Sequence, residues 1–477
     1  MKRLLLLPVL HALIVAMPAQ AQLPTVEFSL DDDFRYLFIE GEHSQRFGPL
    51  NHSMEMVCAR ARDGLYDVYV TDGNGAVFHY ATDTEELRLL RVVAVNPDTD
   101  ACGLAGDDLL ILDPVSGIWR TPADAEGEPI LVPVSLFAPW GELPPGTEEI
   151  PASFLQSEDS SARERHRQIH AARETEPVEV RGDAADDPAI VVDPRAPART
   201  LILGTDKTGG LRTYDRAGNE LQNLEVGRLN NVDAVVYGSA RAPQAVAVAS
   251  NRTYRRIDFF SIDLLNSHVS PTYSWPLEFE DPYGICLFYD RRINVIVGDS
   301  EGRVQHWAFD PDTGASSAEL LADMHFATQT EGCDVDVDAG VAWIGEEDAG
   351  VWRVPLADPD ARELRFAVDG ETLFDDVEGI RLVVERDGRK RLAVSSQGDS
   401  TLVVFDLASG AVDAKLRVGM HWSAGVDGVS DTDGIDVTTI ALPGFPGGLL
   451  VMQDGRNVAP PQNQNFKFID WRQIDVP

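Results

Sequence analysis

The chain reads as all-β, with a six-bladed β-propeller at its C-terminal end preceded by a partial propeller-like β domain. Three observations predict this. From Asp186 onward, short runs rich in Val, Ile and Leu alternate with Gly, Asp and Asn turns, and no segment has the length and period of a core helix. The runs fall into six cycles of about 45 residues, opening near Asp186, Asn231, Tyr283, Glu331, Asp376 and Asp433, a period that suits four-stranded blades. Part of the first third repeats part of the last: VCARARDGLYDVYVTDGNGAVFHY from Val57 parallels ICLFYDRRINVIVGDSEGRVQHW from Ile285, and the stretch from Thr99 parallels that from Thr330.

At the N-terminus, Lys2 and Arg3 precede an apolar stretch from Leu4 to Met17, and Ala19-Gln20-Ala21 supplies a small-residue cleavage pattern. Residues 1–21 therefore read as a secretory signal peptide cut before Gln22. The stretch is short for a membrane span and no cysteine follows it, so no membrane anchor is expected and the protein should be periplasmic or secreted. Residues 22–143 form the incomplete, accessory propeller-like domain. Its acids are replaced, with Pro114 standing where the later copy has Glu347, Asp100 where it has Glu331, and Glu55 where it has Tyr283. Residues 144–169 read as a linker, within a stretch from Pro144 to Pro177 rich in Pro, Ser, Glu and Arg, where Ser160 to Arg173 suits a solvated helix. Residues 170–477 hold the six cycles. The last cycle lacks a strand, which the segment around Glu174 to Val180 is placed to supply.

All four cysteines lie in the repeat, one pair per copy, at matching positions. In an oxidising compartment this points to disulfides Cys58–Cys102 and Cys286–Cys333, with two buried thiols per copy as the alternative. Cys286 and Arg292 have the spacing of a cysteine-phosphatase loop, but the intervening LFYDR lacks the glycines that would turn backbone amides onto a phosphate. No Gly-x-Ser-x-Gly elbow, paired-cysteine zinc motif or Arg-His-Gly motif is present.

The 78 Asp and Glu residues outnumber 40 Lys and Arg, a formal charge of −38, in a chain that is 44% hydrophobic and so able to bury a core. Such a chain repels nucleic acid and anionic membranes. Many of its acids sit beside glycine at the ends of strand-like runs, in pairs such as Asp186-Asp187 and Glu346-Glu347. A propeller gathers such ends around one axis, so acids distant in sequence can share one site. Hard divalent cations suit them, because Ca²⁺ takes six to eight oxygen ligands and shares phosphate oxygens as well.

The strings ETEPVEVRGDAADDPAI from Glu174, TDKTGGL from Thr205, GRLNNVD from Gly227, TEGC from Thr330, GEED from Gly345, DDVEGI from Asp375, SSQGDS from Ser395, SDTDGIDV from Ser430 and QNQNFK from Gln462 carry more. In this order and spacing they resemble the β-propeller phytases, calcium-dependent phosphohydrolases of inositol hexakisphosphate, in a dual-domain form. The resemblance covers roughly residues 170 to 477. It implies several calcium ions, structural and catalytic, and the substrates phytate or calcium-phytate and lower inositol phosphates. The catalytic metal ligands it implies are Asp186, Glu331, Glu347, Asp376, Glu378 and Asp433, with Glu174 and Asn230 nearby and Asp187 among the metal-binding residues, while Asp427, Asp454 and Asn457 match a region that binds structural calcium. Lys207 and Arg252 match phosphate-binding cations and Tyr283 an active-site tyrosine. With Glu331 and Glu378 they would serve direct in-line attack by a calcium-bound water. The chain departs from this pattern at Asp299-Ser300-Glu301-Gly302, where the family commonly has a lysine, and Arg303 should alternate to the other side of its strand. A calcium-dependent propeller lactonase and a non-catalytic binding propeller are the alternatives. The protein is expected to be a monomer.

Overall fold

A computed structural model of the chain describes residues 27–30, 36–40, 44–48, 56–62, 64–71, 74–97, 101–113, 117–127, 130–136, 167–419, 421, 423–457 and 462–475. The leader, most of the linker, and Glu55, Asp100 and Pro114 lie outside them. The chain divides into two compact units, Met1–Arg165 with Val458–Gln462, and His166–Asn457 with Asn463–Pro477.

The described residues of the first unit form three antiparallel sheets: a three-stranded one within residues 27–47 and four-stranded ones within 56–97 and 101–136. The second unit holds six sheets among its described residues, at 185–224, 229–276, 282–325, 330–367, 377–419 and 435–470, numbered here blades 1 to 6. The first strands of successive blades pack against one another, and that of blade 6 returns to that of blade 1, closing a ring. Every cycle expected from the sequence is a blade.

A blade buries both faces. Six apolar clusters result, one between each pair of neighbours; Leu203 and Phe260 pack between blades 1 and 2, for example, and Phe366 and Val394 between blades 4 and 5. This explains why second strands such as Ile293–Asp299 and Val341–Glu346, buried along their whole length, read as mostly apolar runs rather than alternating ones.

The segment before blade 1 completes two other blades. Arg173–Glu174 pairs with Phe468 and Lys467 as the fourth strand of blade 6. Arg167–His170 adds a fifth, parallel strand to blade 5 beside Leu416–Gly419. The expected helix from Ser160 to Arg173 is therefore corrected over its described part, and the propeller takes in residues assigned to the linker. The outer edge of blade 5 offers unpaired backbone groups and Ile169 enters the core, which outweighs the weak preference of a solvated polar segment for helix.

Both cysteine pairs are bonded, Cys58 with Cys102 and Cys286 with Cys333, each joining the first strands of neighbouring sheets. By the chain-entropy model, loops of 44 and 47 residues are worth about 4 kcal/mol each. The repeat persists in a buried pair as well: His79 Nε2 lies 3.1 Å from Asp67 Oδ1, and at the matching place His306 Nε2 lies 3.1 Å from Asn294 Oδ1.

Candidate active site

One backbone irregularity builds the site. On the first strand of blades 1 to 5 the register jumps from Ala185 to Pro188, Leu229 to Val232, Pro282 to Ile285, Thr330 to Cys333 and Val377 to Ile380, so two residues oppose one. Such bulges re-aim side chains. The first bulged residues are Asp186, Asn230, Tyr283, Glu331 and Glu378, and Asp433 stands at the corresponding point before the first strand of blade 6. They form a ring of six around the axis at one end of the propeller. The second bulged residue is often glycine because the next blade leaves no room: a Cβ on Gly284 would strike the backbone of Glu331, and one on Gly332 the carbonyl of Glu378.

A second ring comes from the turns between second and third strands. Lys207, Arg252, Ser300, Glu347 and Gln397 each follow the last residue of a second strand. Their backbone N–H groups donate to the carbonyls of Ala184, Arg228, Asp281, Gln329 and Asp376, at 2.7, 2.9, 3.2, 3.0 and 3.0 Å. Each acceptor lies two residues before its blade's member of the first ring, so the same frame recurs five times.

Glu331, Glu347 and Glu378 bring one carboxylate oxygen each within 4.8 Å of one another, and Asn230 Nδ2 donates to Glu331 Oε1 over 3.3 Å. Lys207 Nζ donates to Asp433 Oδ2 and Asp183 Oδ1, both at 2.9 Å, and stands 3.6 Å from Asp186 Oδ2. Gln397 donates to Asp433 Oδ1 over 2.5 Å, and Gln329 to Glu347. Arg252 grips Asp281 through Nε at 2.7 Å and Nη2 at 2.5 Å, donates to Asn230 Oδ1 at 3.0 Å, and places its guanidinium 5.1 Å from the centre of the Tyr283 ring.

Burial pushes Glu331 up to about 8, Glu347 to about 7 and Asp433 to about 6, and lifts Asp186 and Glu378 well above the ordinary carboxylate range. Like charges add to this, and Lys207 opposes it at Asp186, Glu331 and Asp433. Burial alone would lower Lys207, but Asp186 and Asp433 overcome it and hold the ammonium charged. The charge of Glu331, then burial, raises the Tyr283 hydroxyl and keeps it protonated. Both oxygens of Asp186 and Oε2 of Glu378 are buried without a hydrogen-bond partner among the described residues. Orphaned carboxylate oxygens within an all-oxygen donor set fit a calcium ion.

Other expected residues fall elsewhere. Asp376 joins Asp348 and Asp375 in a second acidic group, neither of which was picked out from the sequence. Asp187 turns between blades, where its Oδ2 accepts from Val232 N at 3.1 Å. Glu174 lies with Asp427, Asp454 and Asn457 around the buried ammonium of Lys467, which is 3.2 Å from Asp454 Oδ2 and 3.3 Å from Asn457 Oδ1. Asn465 joins them with its Oδ1 orphaned. Arg303 binds Asp323 on the fourth strand of blade 3 through Nε at 3.0 Å, so Ser300 alone occupies in blade 3 the place that Lys207 and Arg252 occupy in blades 1 and 2.

Three residues along each first strand from the ring lies a layer that sequence reasoning missed. Arg381 donates from Nε to Asp436 Oδ1 at 2.6 Å and from Nη2 to Asp233 Oδ1 at 2.5 Å, with Asp334 Oδ2 3.7 Å from Nη1. The same acids accept backbone N–H groups of the following blade: Leu287 to Asp233 at 2.7 Å, Leu382 to Asp334 at 2.8 Å and Ile190 to Asp436 at 2.5 Å.

A six-bladed ring whose mouth combines a carboxylate trio, two buried and Glu347 half-buried, with two anchored cations defines a propeller hydrolase suited to phosphate esters. The phytase family model matches residues 149–476. The chain is similar to the 3-phytase of Bacillus subtilis (strain 168), at 32% identity over 328 residues, 65% of this chain and 85% of that protein. Among solved structures, it is similar to the WD40 β-propeller domain of Doa1, with 8% identity and a TM-score of 0.39 over 80% of this chain and 98% of that one. It is also similar to the computationally designed Ika8 protein, with 10% identity and a TM-score of 0.32 over 88% and 97%. The chain belongs to the phytase family.

Proposed function

We propose that the protein is a calcium-dependent phytase that acts outside the cytoplasm, releasing phosphate from myo-inositol hexakisphosphate, free or as its calcium salt, and from lower inositol phosphates. The observation that carries this reading is the convergence of Asp186, Glu331, Glu347, Glu378 and Asp433 with Lys207 and Arg252 at one mouth. Calcium bound among these acids would offset the repulsion between an acidic protein and a polyphosphate and make a water acidic enough to attack. Lys207 and Arg252 neutralise the equatorial oxygens of the reacting phosphoryl group. The protonated Tyr283 hydroxyl donates to a phosphate oxygen, and Asn230 holds Glu331 and Arg252 in place. Asp376, with Asp348 and Asp375, would extend the metal site.

Glu174, Asp427 and Asp454 against the single ammonium of Lys467 leave two negative charges, which together with the amide oxygens of Asn457 and Asn465 suit a structural divalent ion. Asp187 has a positioning role between blades. Catalysis belongs to the propeller and the first unit is an accessory domain, since its sequence lacks counterparts of Glu331 and Glu347. Secretion is supported by the leader pattern of residues 1–21 and by the two disulfides. The deciding experiment is phosphate release from calcium phytate with and without prolonged incubation in excess chelator. Release that stops on chelation and returns with calcium supports the reading; full activity in chelator, or lactone opening without phosphate release, overturns it.

A further inference from the structure

The end of the propeller away from the two rings carries a cavity of about 530 Å³ lined by Arg173, Arg199, Arg216 and His268, with Thr200 and Gln222. Its position follows from topology. Lys207 lies in the turn from second to third strand, at the mouth. Thr200 precedes the second strand of blade 1, Arg216 lies between its third and fourth strands, and His268 opens the fourth strand of blade 2, all at the opposite end.

On a chain with 78 acids and 40 bases, exposed arginines are commonly neutralised, as Arg292 is by Glu319 and Arg472 by Asp470. Here two are not. Arg216 donates to the carbonyls of Ala198 at 3.1 Å and Pro443 at 2.5 Å, and Arg173 donates to the carbonyl of Arg216 at 3.3 Å. Neither forms an ion pair among the described residues. Arg199 shares Asp193 with Arg195 and donates Nε to Leu264 O at 3.2 Å. The carboxylate that lines the cavity, Asp215, is turned into its own loop, accepting from Ala217 N at 2.7 Å and from Asn219 N at 3.0 Å and Nδ2 at 2.8 Å. Carbonyl anchors thus fix the guanidinium planes without cancelling their charge, which favours anions with oxygens in a plane. The cavity is far larger than one phosphate and lies in the size range of small-molecule sites.

We propose that this cavity is a second anion site that holds an inositol polyphosphate away from the catalytic mouth. The ligand class rests on the phytase reading; the anion site itself does not.

The test is calorimetric titration of the full chain in calcium buffer with myo-inositol hexakissulfate, a hydrolysis-inert polyanion, and separately with inorganic phosphate. Two binding sites are expected for the hexakissulfate. The double variant R173Q/R216Q should lose one of them while phytate turnover at saturating substrate stays unchanged. R173Q/H268Q, which spares the carbonyl contacts of Arg216, should weaken the same site roughly tenfold or more, the loss of one charge-assisted contact. A single hexakissulfate site in the unaltered chain, or an unchanged second site in either folded variant, overturns the proposal. Inorganic phosphate binding there as tightly as the hexakissulfate overturns the polyphosphate assignment. A chain that releases no phosphate from phytate, yet loses hexakissulfate binding in these variants, keeps the anion site and discards the enzyme reading.

Discussion

Replacing Arg381 with Met removes the cation from the axial layer and leaves Asp233, Asp334 and Asp436 facing one another near the axis. Arg381 is held by two short contacts and a third carboxylate at 3.7 Å; burial alone would disfavour its charge, but Asp233, Asp436 and Asp334 overcome it and keep it charged. Breaking a buried pair by removing one partner costs about 3–5 kcal/mol. At about 2–4 °C per kcal/mol this is a fall in melting temperature on the order of 10 °C. The loss should depend on pH in a definite sense. Burial already lifts Asp334 to about 6, and Asp436 above its ordinary value, with Arg381 opposing. Without Arg381 these acids rise further. A carboxyl raised in the folded state contributes stability that is complete below its unfolded value and is lost as pH rises through the folded one. Arg381→Met should therefore be mild at pH 5 and reach its full cost near pH 8. Urea unfolding followed by tryptophan fluorescence in saturating calcium, at both pH values, measures this. A loss under about 1 kcal/mol at pH 8, or one that does not grow with pH, refutes the view that Arg381 pins the blades through charge.

Glu378→Gln keeps side-chain size and removes a buried charge. Turnover should fall on the order of 100-fold or more, with melting temperature unchanged or raised; a variant that melts early yet turns over normally when cold would falsify its role at the mouth. Gly332→Ala drives a Cβ into the carbonyl of Glu378, so stability should fall by about 1–3 kcal/mol together with kcat; normal kinetics would mean the bulges do not set the ring. Chelated protein should melt lower at pH 8.5 than at pH 5, because carboxyls raised to about 6 at Asp433, 7 at Glu347 and 8 at Glu331 lose their contribution as pH rises, and calcium should remove the difference. Equal melting at the two pH values in chelator excludes a calcium-free repulsive ring. Ser300→Lys adds a cation at the blade 3 position equivalent to Lys207 and Arg252, and should tighten inositol hexakisphosphate by about 1 kcal/mol without changing p-nitrophenyl phosphate; equal effects on both substrates count against a second phosphate subsite.

The six blades were legible because each opens near a polar residue followed by apolar strand runs, and in blades 1, 3 and 4 that polar residue, Asp186, Tyr283 or Glu331, is itself the one the bulge turns toward the axis. The glycines beside the acids were legible for the same reason: neighbouring blades approach too closely for a side chain. The layer around Arg381 was not. Asp233, Asp334 and Asp436 stand three residues past the ring on strands where an alternating polar residue reads as ordinary surface, and their common partner comes from a different blade. The fifth strand of blade 5 escaped because a short charged segment carries no pattern of its own; its conformation is dictated by the edge it meets. The arginine cavity draws on blades 1, 2 and 6 and has no local signature at all.

The strand that completes blade 6 makes the order of synthesis matter. Glu174 and its partner Lys467 are separated by 293 residues, so at about 5–20 residues per second the first waits roughly 15 to 60 s for the second to be made. During that interval a strand destined for an edge has no proper place, and any exposed edge of a half-built ring is a wrong one. Its composition suits the wait. The run Arg173-Glu174-Thr175-Glu176-Pro177 is charged and ends in a residue that cannot donate to a ladder, so it pairs poorly with anything except the sheet that buries Thr175 and receives Glu174 beside Lys467. Nascent chains cut short before Asn465 lack the strand Asn465–Asp470 and leave Arg173–Glu174 without its sheet partner, so the last strand of blade 6 docks only after the one before it has been made.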